Sequence, residues 1–503
     1  MKSLAYRLVL TSVGAVIASL AYPQPGIGVL MFIGLPMMVF AFRGQSLGRG
    51  ALIGFVTGFV YYGAVAKWLT IYLGVVPWLG LVGAQAVIFT GGGVLLAAAW
   101  KAADSLNIHS IRGALSAGFI LSAAWVAREA IAAQWPWGGF AWARVSQSQT
   151  DTPFRYLATL FGTSGASAVI VFVVVVVVIF WQTTPRGILL YRRLLVVTGS
   201  FLALLPFPYL LLASAPNGSI RVAAVQGNSD SALFSSARQG DAIQNHYDAM
   251  SAVTIGDVDA VIWPENAMDI NPLENPTIER FVDSVARETG APFIFGTITR
   301  DGDKTFNSVL QWEAGEGVVD QYDKVHPVPF AEYLPERDFF YPLAPSLFDM
   351  VPRDYTLGTR DPVFTVGDAV AGVAICFDIV DDGLFRSILS NNANVIFAPT
   401  NNSDFGQTDE SIQQLGIARM RAVETGRAVV NVSTVGVSAI IAPDGSDIRR
   451  LTPFEPGVMV ADVPLSTVTT PASVIGYPLE IALIVAGFVP LGLPLINRKR
   501  TRD

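Results

Sequence analysis

The chain has few of the residues that usually build metal sites or disulfides. Its 503 residues include one cysteine and three histidines. A single cysteine cannot form an intramolecular disulfide, and a zinc site usually needs clustered cysteine or histidine ligands. We therefore expect no metal. The lone thiol, Cys376, is either a small buried side chain, which is the commoner case, or a nucleophile.

Charged residues are also scarce, and acidic residues are nearly missing from the first half of the chain. Lys, Arg, Asp and Glu make up 15% of the residues, and the mean hydropathy is +0.47. Residues 1–213 contain thirteen Lys and Arg but three acids, whereas residues 214–479 contain sixteen against thirty-five. No region combines a basic patch with stacking aromatic side chains, which excludes a nucleic-acid-binding protein. The pattern indicates a lipid-embedded half followed by an acidic, water-soluble block.

Apolar runs in the sequence predict eight membrane-spanning helices. A helix needs about 20 apolar residues to cross a bilayer. The first seven runs form a predicted transmembrane domain at residues 1–213, and the last run lies with a basic tail in residues 477–503. The eight spans lie at about 6–22, 27–42, 50–66, 79–100, 113–131, 156–181, 190–213 and 477–496.

The distribution of basic residues predicts how these spans are oriented. With the N-terminus in the cytoplasm, thirteen Lys and Arg lie on the inner side and four, Lys67, Arg128, Arg144 and Arg155, on the outer side. Such a bias is typical of a cytoplasmic N-terminus. Residues 214–476 are then extracytoplasmic, and the tail returns to the cytoplasm. A transporter is a competing interpretation, but the charges lie almost wholly at predicted loop positions, which argues against it.

A predicted outer loop at residues 134–150 is rich in tryptophan. Trp135, Trp137 and Trp142 fall within it. Two interpretations are open. The loop is either an aromatic belt at the membrane–water interface, or an arm on the membrane surface beside a functional site.

From Ser219 onward, short β-branched runs alternate with polar helical stretches. Over about 250 residues, this alternation indicates an α/β layered domain. Helices are predicted at 234–254, 275–289 and 408–425. Strands are predicted at 220–225, 259–263, 293–297, 370–375, 395–398 and 428–432.

Three short motifs fall at the ends of predicted strands or hairpins. They are Trp263-Pro264-Glu265, Tyr322-Asp323-Lys324-Val325-His326 and Ile375-Cys376-Phe377-Asp378. Each motif alone is ordinary, because a glutamate at a strand end usually caps or faces solvent and a lone lysine is usually solvated. A carboxylate, an amine and a thiol together supply a base, a cation and a nucleophile.

The order of these motifs resembles the nitrilase superfamily. The predicted spans on either side resemble its membrane-bound branch, the apolipoprotein N-acyltransferases. The resemblance covers nearly the whole chain and includes residues 225–228, 326–335 and 418–424. It implies an αββα sandwich for residues 214–476, without a metal or an organic cofactor. It also implies a multi-pass protein of the bacterial plasma (inner) membrane, with the catalytic domain on the extracytoplasmic face.

The resemblance further implies a two-step acyl transfer. Cys376 takes an acyl chain from a membrane phospholipid as a thioester, with Glu265 as general base. Lys324 favours the thiolate and stabilises the oxyanion, helped by backbone N–H groups after the cysteine. The acceptor is the α-amine of the N-terminal S-diacylglyceryl-cysteine of an apolipoprotein. Glu332 matches a second glutamate that the family places beside the lysine, where it would keep Lys324 charged and aimed.

Two motifs depart from the family's better-known members. Those members have Tyr-Glu after the cysteine, where this chain has the supporting residues Phe377 and Asp378. They also have a tryptophan where this chain has Asp404, a change that concerns the acyl-chain or headgroup contact and not the chemistry. Residues 333–358 form a long apolar connection without clear periodicity, which predicts a lid resting on lipid.

Two other functions are compatible with the same residues. A membrane-tethered nitrilase-type amidase would use the three motifs to hydrolyse a small C–N substrate. A non-catalytic scaffold or partner subunit would keep the fold without the reaction, although the intact Glu-Lys-Cys set argues against it.

Overall fold

The computed structural model describes residues 3–213, 216–229, 238–252, 256–349, 351 and 354–500. The chain divides into two compact units. The first unit combines Met1–Leu211 with Thr470–Asp503, and the second is Leu212–Thr469.

The first unit is built of α-helices, and each predicted span coincides with helical structure. Among the described residues, five helical segments are long and apolar enough to cross a membrane. This agrees with the predicted membrane domain. The helices are α1 (Leu4–Ser19), α2 (Met31–Ala41), α3 (Leu47–Val65), α4 (Thr70–Leu73), α5 (Val75–Asp104), α6 (Ile111–Gln134), α7 (Leu157–Thr183), α8 (Ile188–Ala203), α9 (Pro206–Ala213) and, at the end of the chain, α16 (Pro471–Arg500).

Proline accounts for two of the differences between the predicted and the observed helix boundaries. The run predicted at 190–213 is divided before Pro206, because proline has no N–H for the interior of a helix but is tolerated at its start. The last helix begins at Pro471 rather than at 477. Its first turn is capped by Thr470, whose Oγ1 accepts a hydrogen bond from Ser473 N at 3.2 Å.

The last helix, α16, packs against α5, α6 and α7. The approach is close, because a Cβ on Gly487 would lie 2.6 Å from the carbonyl oxygen of Ala123. Ser164 Oγ donates a hydrogen bond to the buried carboxylate of Glu480 at 2.5 Å. The end of the chain is therefore part of the helical core of the first unit.

The tryptophan-rich loop is largely buried, which neither interpretation of it anticipated. Trp135 is 63% exposed, but residues 140–150 are buried inside the helical unit. Some of their polar groups are paired within the segment. Arg144 N donates to Gln147 Oε1 at 3.0 Å, and Gln147 Nε2 donates to Ala141 O at 2.9 Å. Non-helical backbone is tolerated inside a membrane domain where the surrounding protein satisfies its polar groups.

A buried ion pair in α6 holds this loop. Arg128, which the sequence placed in an outer loop, lies inside the helix next to Glu129, and each is 2% exposed. Glu129 Oε1 accepts hydrogen bonds from Arg128 Nη2 at 3.2 Å, Trp125 Nε1 at 2.8 Å and Val145 N at 3.0 Å. The carboxylate therefore offsets the buried charge and ties the loop to the helix.

The second unit contains two six-stranded sheets, in the orders β12-β1-β2-β3-β4-β5 and β11-β10-β9-β8-β7-β6. Within each sheet, the central strands are parallel (β1 with β2 and β3, and β7 with β8 and β9). The strands are β1 (Pro216–Gln226), β2 (Ala260–Ile262), β3 (Phe293–Asp301), β4 (Lys304–Glu313), β5 (Gly317–Asp323), β6 (Val363–Val366), β7 (Ala369–Val373), β8 (Val395–Thr400), β9 (Ala428–Ser433), β10 (Ala439–Ile441), β11 (Asp447–Arg450) and β12 (Gly457–Ser466).

Helices cover the outer faces of the two sheets. Helices α10 (Asp241–Ser251) and α11 (Pro276–Thr289) pack on the first sheet, and α14 (Asp382–Ser390) and α15 (Glu410–Thr425) pack on the second. The sheets meet through β1 and β12 on one side and β8, β9 and β10 on the other. The αββα sandwich is therefore confirmed. Two short helices, α12 (Arg337–Phe340) and α13 (Pro345–Phe348), lie in the connection predicted to lack structure.

We expect Glu129→Leu to lower the free energy of unfolding by about 3–5 kcal/mol, because it leaves the Arg128 charge buried without its counter-ion. Thermal unfolding of the detergent-solubilised protein measures the loss. The control is Asp104→Leu, since Asp104 pairs with Arg43 at 3.0 Å but both side chains are about one-third exposed. Such a pair contributes about 1 kcal/mol or less. Equal losses in the two variants would contradict the assignment.

Candidate active site

Glu265 is delivered by the end of a central strand. It follows β2 in the first sheet, after Trp263 and Pro264. The neighbouring strand β3 approaches so closely that a Cβ on Gly296 would lie 2.5 Å from Glu265 Cα. Gly296 N donates to Pro264 O at 3.1 Å, which holds the turn in place. Glycine is required here because any side chain would displace the carboxylate.

Lys324 follows β5 of the same sheet, and its backbone is held on both sides. Lys324 N donates to Asn307 O at 2.8 Å, and Gly358 N donates to Lys324 O at 2.8 Å. A Cβ on Gly358 would lie 1.9 Å from Asp323 O, so only glycine allows this approach. The segment after the short helices α12 and α13 therefore clamps the lysine.

The amine of Lys324 lies between two carboxylates. Its Nζ is 3.1 Å from Glu265 Oε1 and 2.8 Å from Glu332 Oε2. Asn307 Nδ2 donates to Glu265 Oε1 at 2.6 Å and to Glu332 Oε1 at 3.0 Å, so it joins the two acids. The side chains of Lys324 and Glu265 are almost wholly buried, and that of Glu332 is 17% exposed.

Burial and charge act in opposite directions on this cluster. Burial opposes the charge on Lys324, but Glu265 and Glu332 together raise its pKa well above the ordinary value. Burial raises the pKa of Glu265; Lys324 counteracts this effect, and the charge of Glu332 adds to it. Lys324 therefore stays charged, while Glu265 becomes a stronger base than an exposed glutamate.

One oxygen of Glu265 is left for chemistry. Its Oε1 accepts the hydrogen bonds from Asn307 and Lys324. Its buried Oε2 accepts no hydrogen bond from any of the described residues. A buried acceptor without a partner costs free energy, so such an atom calls for a functional explanation. The arrangement suits an oxygen that receives a proton from the substrate or the nucleophile.

Cys376 lies at a sharp turn after β7 of the second sheet. Its φ is +51°, a left-handed conformation that is uncommon for residues other than glycine and often marks functional sites. Its Sγ accepts a hydrogen bond from Gln414 Nε2 at 3.5 Å and lies 4.0 Å from Asn401 O. The turn that follows, Cys376–Val380, is a short 3₁₀ helix.

Lys324 acts to lower the pKa of the Cys376 thiol, but burial outweighs this effect. Burial raises the pKa of Cys376 to about 12, the charge of Glu265 adds to this rise, and Lys324 only partly offsets it. Desolvation and the charge of Glu265 together outweigh the attraction of the lysine.

Asp378 and Phe377 join the cysteine turn to the lysine loop. Asp378 accepts hydrogen bonds from Tyr322 Oη at 2.9 Å, His326 N at 2.9 Å and Ile375 N at 3.1 Å. Phe377 packs edge-on against His326, with ring centroids 5.2 Å apart. Burial raises the pKa of Asp378 to about 6, against the effect of Lys324. The aspartate in place of the family's glutamate therefore connects the two sheets directly.

The backbone of the cysteine turn is partly committed to local bonds. Asp378 N donates to Ile375 O at 2.9 Å. This N–H cannot donate to an oxyanion unless the turn rearranges. The prediction that backbone amides after the cysteine stabilise the oxyanion therefore does not extend to Asp378 N in this conformation.

The other departure, Asp404, lies in a 3₁₀ turn, Ser403–Phe405, and is only partly buried.

In the predicted lid, Phe339 is 66% exposed and Leu343 is 69% exposed. Arg337, at the start of α12, forms a bidentate pair with Asp354 at 2.6 to 3.0 Å. This pair joins α12 to the segment that follows α13.

Sequence reasoning missed three residues of the site: Asn307, Glu410 and Gln414. Asn307 sits inside β4 at a buried position, where a polar residue breaks a strand pattern. That break is a usable signal. Glu410 and Gln414 lie on α15 and show no local pattern, so only the folded chain brings them to the sulfur.

We expect Asp378→Leu to lower the free energy of unfolding more than Tyr322→Phe does. The leucine leaves a hydroxyl and two backbone N–H groups without an acceptor, each at a cost of about 1–3 kcal/mol. The phenylalanine removes one donor and costs about 1 kcal/mol. Thermal unfolding compares the two variants. A loss for Asp378→Leu no larger than that for Tyr322→Phe would show that the three bonds do not join the loops.

Two family models match the chain, one over much of the first unit and one over the second unit. The carbon–nitrogen hydrolase model matches residues 221–471, and the model of the apolipoprotein N-acyltransferase N-terminal domain matches residues 14–176. A solved amidase from Nesterenkonia sp. is 17% identical, with a TM-score of 0.36 over 50% of this chain and 93% of the amidase.

Curated relatives named apolipoprotein N-acyltransferase match the chain from several bacteria. The one from Mycolicibacterium smegmatis is 33% identical over 56% of this chain and 49% of its own length, so the chain spans about half of that relative. The one from Photobacterium profundum is 23% identical over 99% of this chain and 96% of its own length. The one from Pseudomonas aeruginosa is 28% identical over 86% and 82%. The chain belongs to the apolipoprotein N-acyltransferase family, the membrane-bound branch of the nitrilase superfamily that its motifs predict.

Proposed function

We propose that the chain transfers a fatty acyl group from a membrane phospholipid to an apolipoprotein. The acceptor is the α-amine of the N-terminal S-diacylglyceryl-cysteine, and the intermediate is a thioester on Cys376. The observation that carries the proposal is a buried base and cation and a partly buried thiol, in one chain with a unit of membrane-length helices. Both substrates are lipids, which gives a hydrolase-like site a reason to be attached to a membrane.

In the first step, Cys376 Sγ attacks the ester carbonyl of the phospholipid. With a pKa of about 12, on the order of one thiol in 100,000 is ionised at pH 7, so attack needs proton removal by a neighbouring base. The open Oε2 of Glu265 is the acceptor that we assign to this proton. The Lys324 ammonium stabilises the oxyanion. Collapse of the tetrahedral intermediate breaks the C–O bond, and Glu265 returns the proton to the lysophospholipid alcohol.

In the second step, the acceptor's α-amine attacks the thioester carbonyl. Glu265 removes a proton from the nitrogen, the C–S bond breaks, and the sulfur leaves as a thiolate that regains the proton. Lys324 again stabilises the oxyanion. Glu332 and Asn307 take no part in bond making; they hold the ammonium and the base in place.

We further propose that the chain lies in the bacterial inner membrane with the second unit outside the cytoplasm. The support is the bias of basic residues, thirteen against four, towards one predicted side of the helices. An extracytoplasmic site would meet lipoproteins after their export.

Purified wild type, given phospholipid and a diacylglyceryl-cysteine peptide, is expected to yield the triacylated peptide, whereas Cys376→Ala is expected to yield none. A peptide with an acetylated α-amine is the matched control and should accept no acyl chain. Mass spectrometry measures the product and, without acceptor, a Cys376 thioester. Release of free fatty acid alone would favour an amidase-type hydrolase. The absence of a thioester in a single turnover would favour a scaffold.

The pH profile tests Glu265 as the base. An acid with a raised pKa loses its ionised form at a higher pH than usual, so kcat/KM should fall on the acid side at a pH above the ordinary glutamate value of about 4.5. Glu332→Gln removes a negative charge that raises the pKa of Glu265. The half-maximal point should therefore move to lower pH, whatever the maximal rate.

The control for this experiment is Glu336→Gln, an exposed acid four residues further along the same segment. It should leave the half-maximal pH unchanged. A shift to higher pH in Glu332→Gln, or equal shifts in both variants, would exclude Glu265 as the titrating base.

A further inference from the structure

A buried chain of side chains behind the thiol has no part in the mechanism so far. It runs from Glu410 through Asn402 to Gln414 and ends at Cys376 Sγ. We propose that the Gln414 carboxamide is a fourth group acting on the reacting sulfur, and that Asn402 and Glu410 are positioning residues that set its orientation. This inference rests on the proposed role of Cys376 as the nucleophile.

The contacts of Gln414 determine which end of its amide faces the sulfur. Its Oε1 accepts hydrogen bonds from Thr400 Oγ1 and Asn402 Nδ2, each at 3.0 Å. Rotating the amide by 180° would bring its NH₂ group against that of Asn402, two groups that only donate. The amide nitrogen is therefore directed at Cys376 Sγ, 3.5 Å away.

Asn402 is oriented in the same manner by its own partners. Its Nδ2 donates to Glu410 Oε2 at 2.6 Å, and its Oδ1 accepts from Ser433 Oγ at 2.7 Å. Glu410 therefore fixes the orientation of the Asn402 amide, because its carboxyl oxygen accepts a hydrogen bond from the NH₂ group. Asn402 in turn fixes the orientation of the Gln414 amide. Each side chain therefore determines which end of the next amide donates, and the last N–H donor faces the sulfur.

Burial and spacing support a built arrangement rather than chance contacts. Glu410, Gln414 and Asn402 are each no more than 3% exposed. Glu410 and Gln414 are one helical turn apart on α15, so both side chains project from the same face. A carboxyl group at this depth is costly unless its hydrogen bonds are used.

The charge state of Glu410 suits a neighbour of a developing thiolate. Burial raises its pKa to about 8, with Asn402 acting against the rise and the charges of Glu265 and Asp404 adding to it. Glu410 is therefore mostly neutral near pH 7. If it were ionised, its charge would raise the pKa of Cys376 and oppose the reaction.

The N–H of Gln414 stabilises negative charge on sulfur at two points of the reaction. Charge develops as the thiol loses its proton during attack on the ester, and again as the thiolate leaves the thioester. Lys324 acts on the oxyanion oxygen, so the two donors serve different atoms. Gln414 thereby stabilises negative charge on the sulfur, to which Lys324 contributes less because Glu265 and Glu332 offset its charge.

The test measures the thiol directly, without either lipid substrate. The rate of Cys376 alkylation by iodoacetamide is followed against pH in the full-length, detergent-solubilised protein. Gln414→Met keeps the length of the side chain but removes the donor, and it should slow alkylation at pH 8 by about tenfold, equivalent to about one unit in the thiol pKa. Gln414→Leu should act in the same direction and serves if the methionine variant is unstable.

Two further variants separate positioning from mere packing. Glu410→Leu and Glu410→Gln both remove the carboxyl charge, so these two variants are compared with each other. Alkylation should be several-fold slower in Glu410→Leu than in Glu410→Gln, because only the glutamine keeps an acceptor oxygen that orients Asn402. The control is Gln413→Leu, the same kind of change one residue earlier and on another face of α15, which should leave the alkylation profile unchanged.

An unchanged thiol pKa in both Gln414 variants would overturn the inference, as would equal effects of the two Glu410 substitutions. The outcome is independent of the acyl transfer. If wild type makes no triacylated peptide but Gln414→Met still shifts the alkylation profile, the proposed function fails and the role of Gln414 at the sulfur stands. If transfer occurs and the profile does not shift, only the inference fails.

Discussion

The site depends on one constraint, the charge of Lys324 in a place that water does not reach. An ammonium at that depth is retained only if opposite charge and hydrogen bonds compensate it. Glu265 and Glu332 provide both, at 3.1 and 2.8 Å, and Asn307 holds the two acids together. The charge of Glu265 also adds to the rise in the Cys376 pKa that burial causes. In the proposed mechanism, the sulfur is therefore deprotonated during its attack on the ester.

The two sheets divide the chemistry between them. In the proposed mechanism, the first sheet supplies the base and the cation, from the ends of β2 and β5, and the second supplies the nucleophile after β7. Asp378 joins the two halves, because its carboxylate accepts from Tyr322 and His326 on one side and from Ile375 on the other. These bonds hold the cysteine turn against the loop that carries Lys324.

Much of this could be predicted, and the reason lies in where the residues stand in the chain. Glu265, Lys324, Glu332 and Cys376 fall in short contiguous motifs beside strands, and the structure brings the first three into direct contact and Cys376 into their electrostatic field. The alternation of strands and helices predicted the layered fold. Glu410 and Gln414 could not be predicted, since their roles come from contacts with strands distant in sequence. The burial of residues 140–150 was missed for the same reason: Glu129, which holds them, looks like an ordinary helix residue.

Both units use a buried carboxylate to hold a non-helical segment, and the choice of acid over amide has a physical reason. Glu129 accepts three hydrogen bonds at one oxygen, and Asp378 accepts three across its two oxygens. At Asp378, an asparagine would place its NH₂ group against one of these donors, because it has only one accepting atom. At Glu129, a glutamine oxygen could accept the same three bonds, but only the acid supplies the negative charge that compensates the buried Arg128. The acid is therefore favoured by hydrogen bonding at the cysteine turn and by charge at the loop.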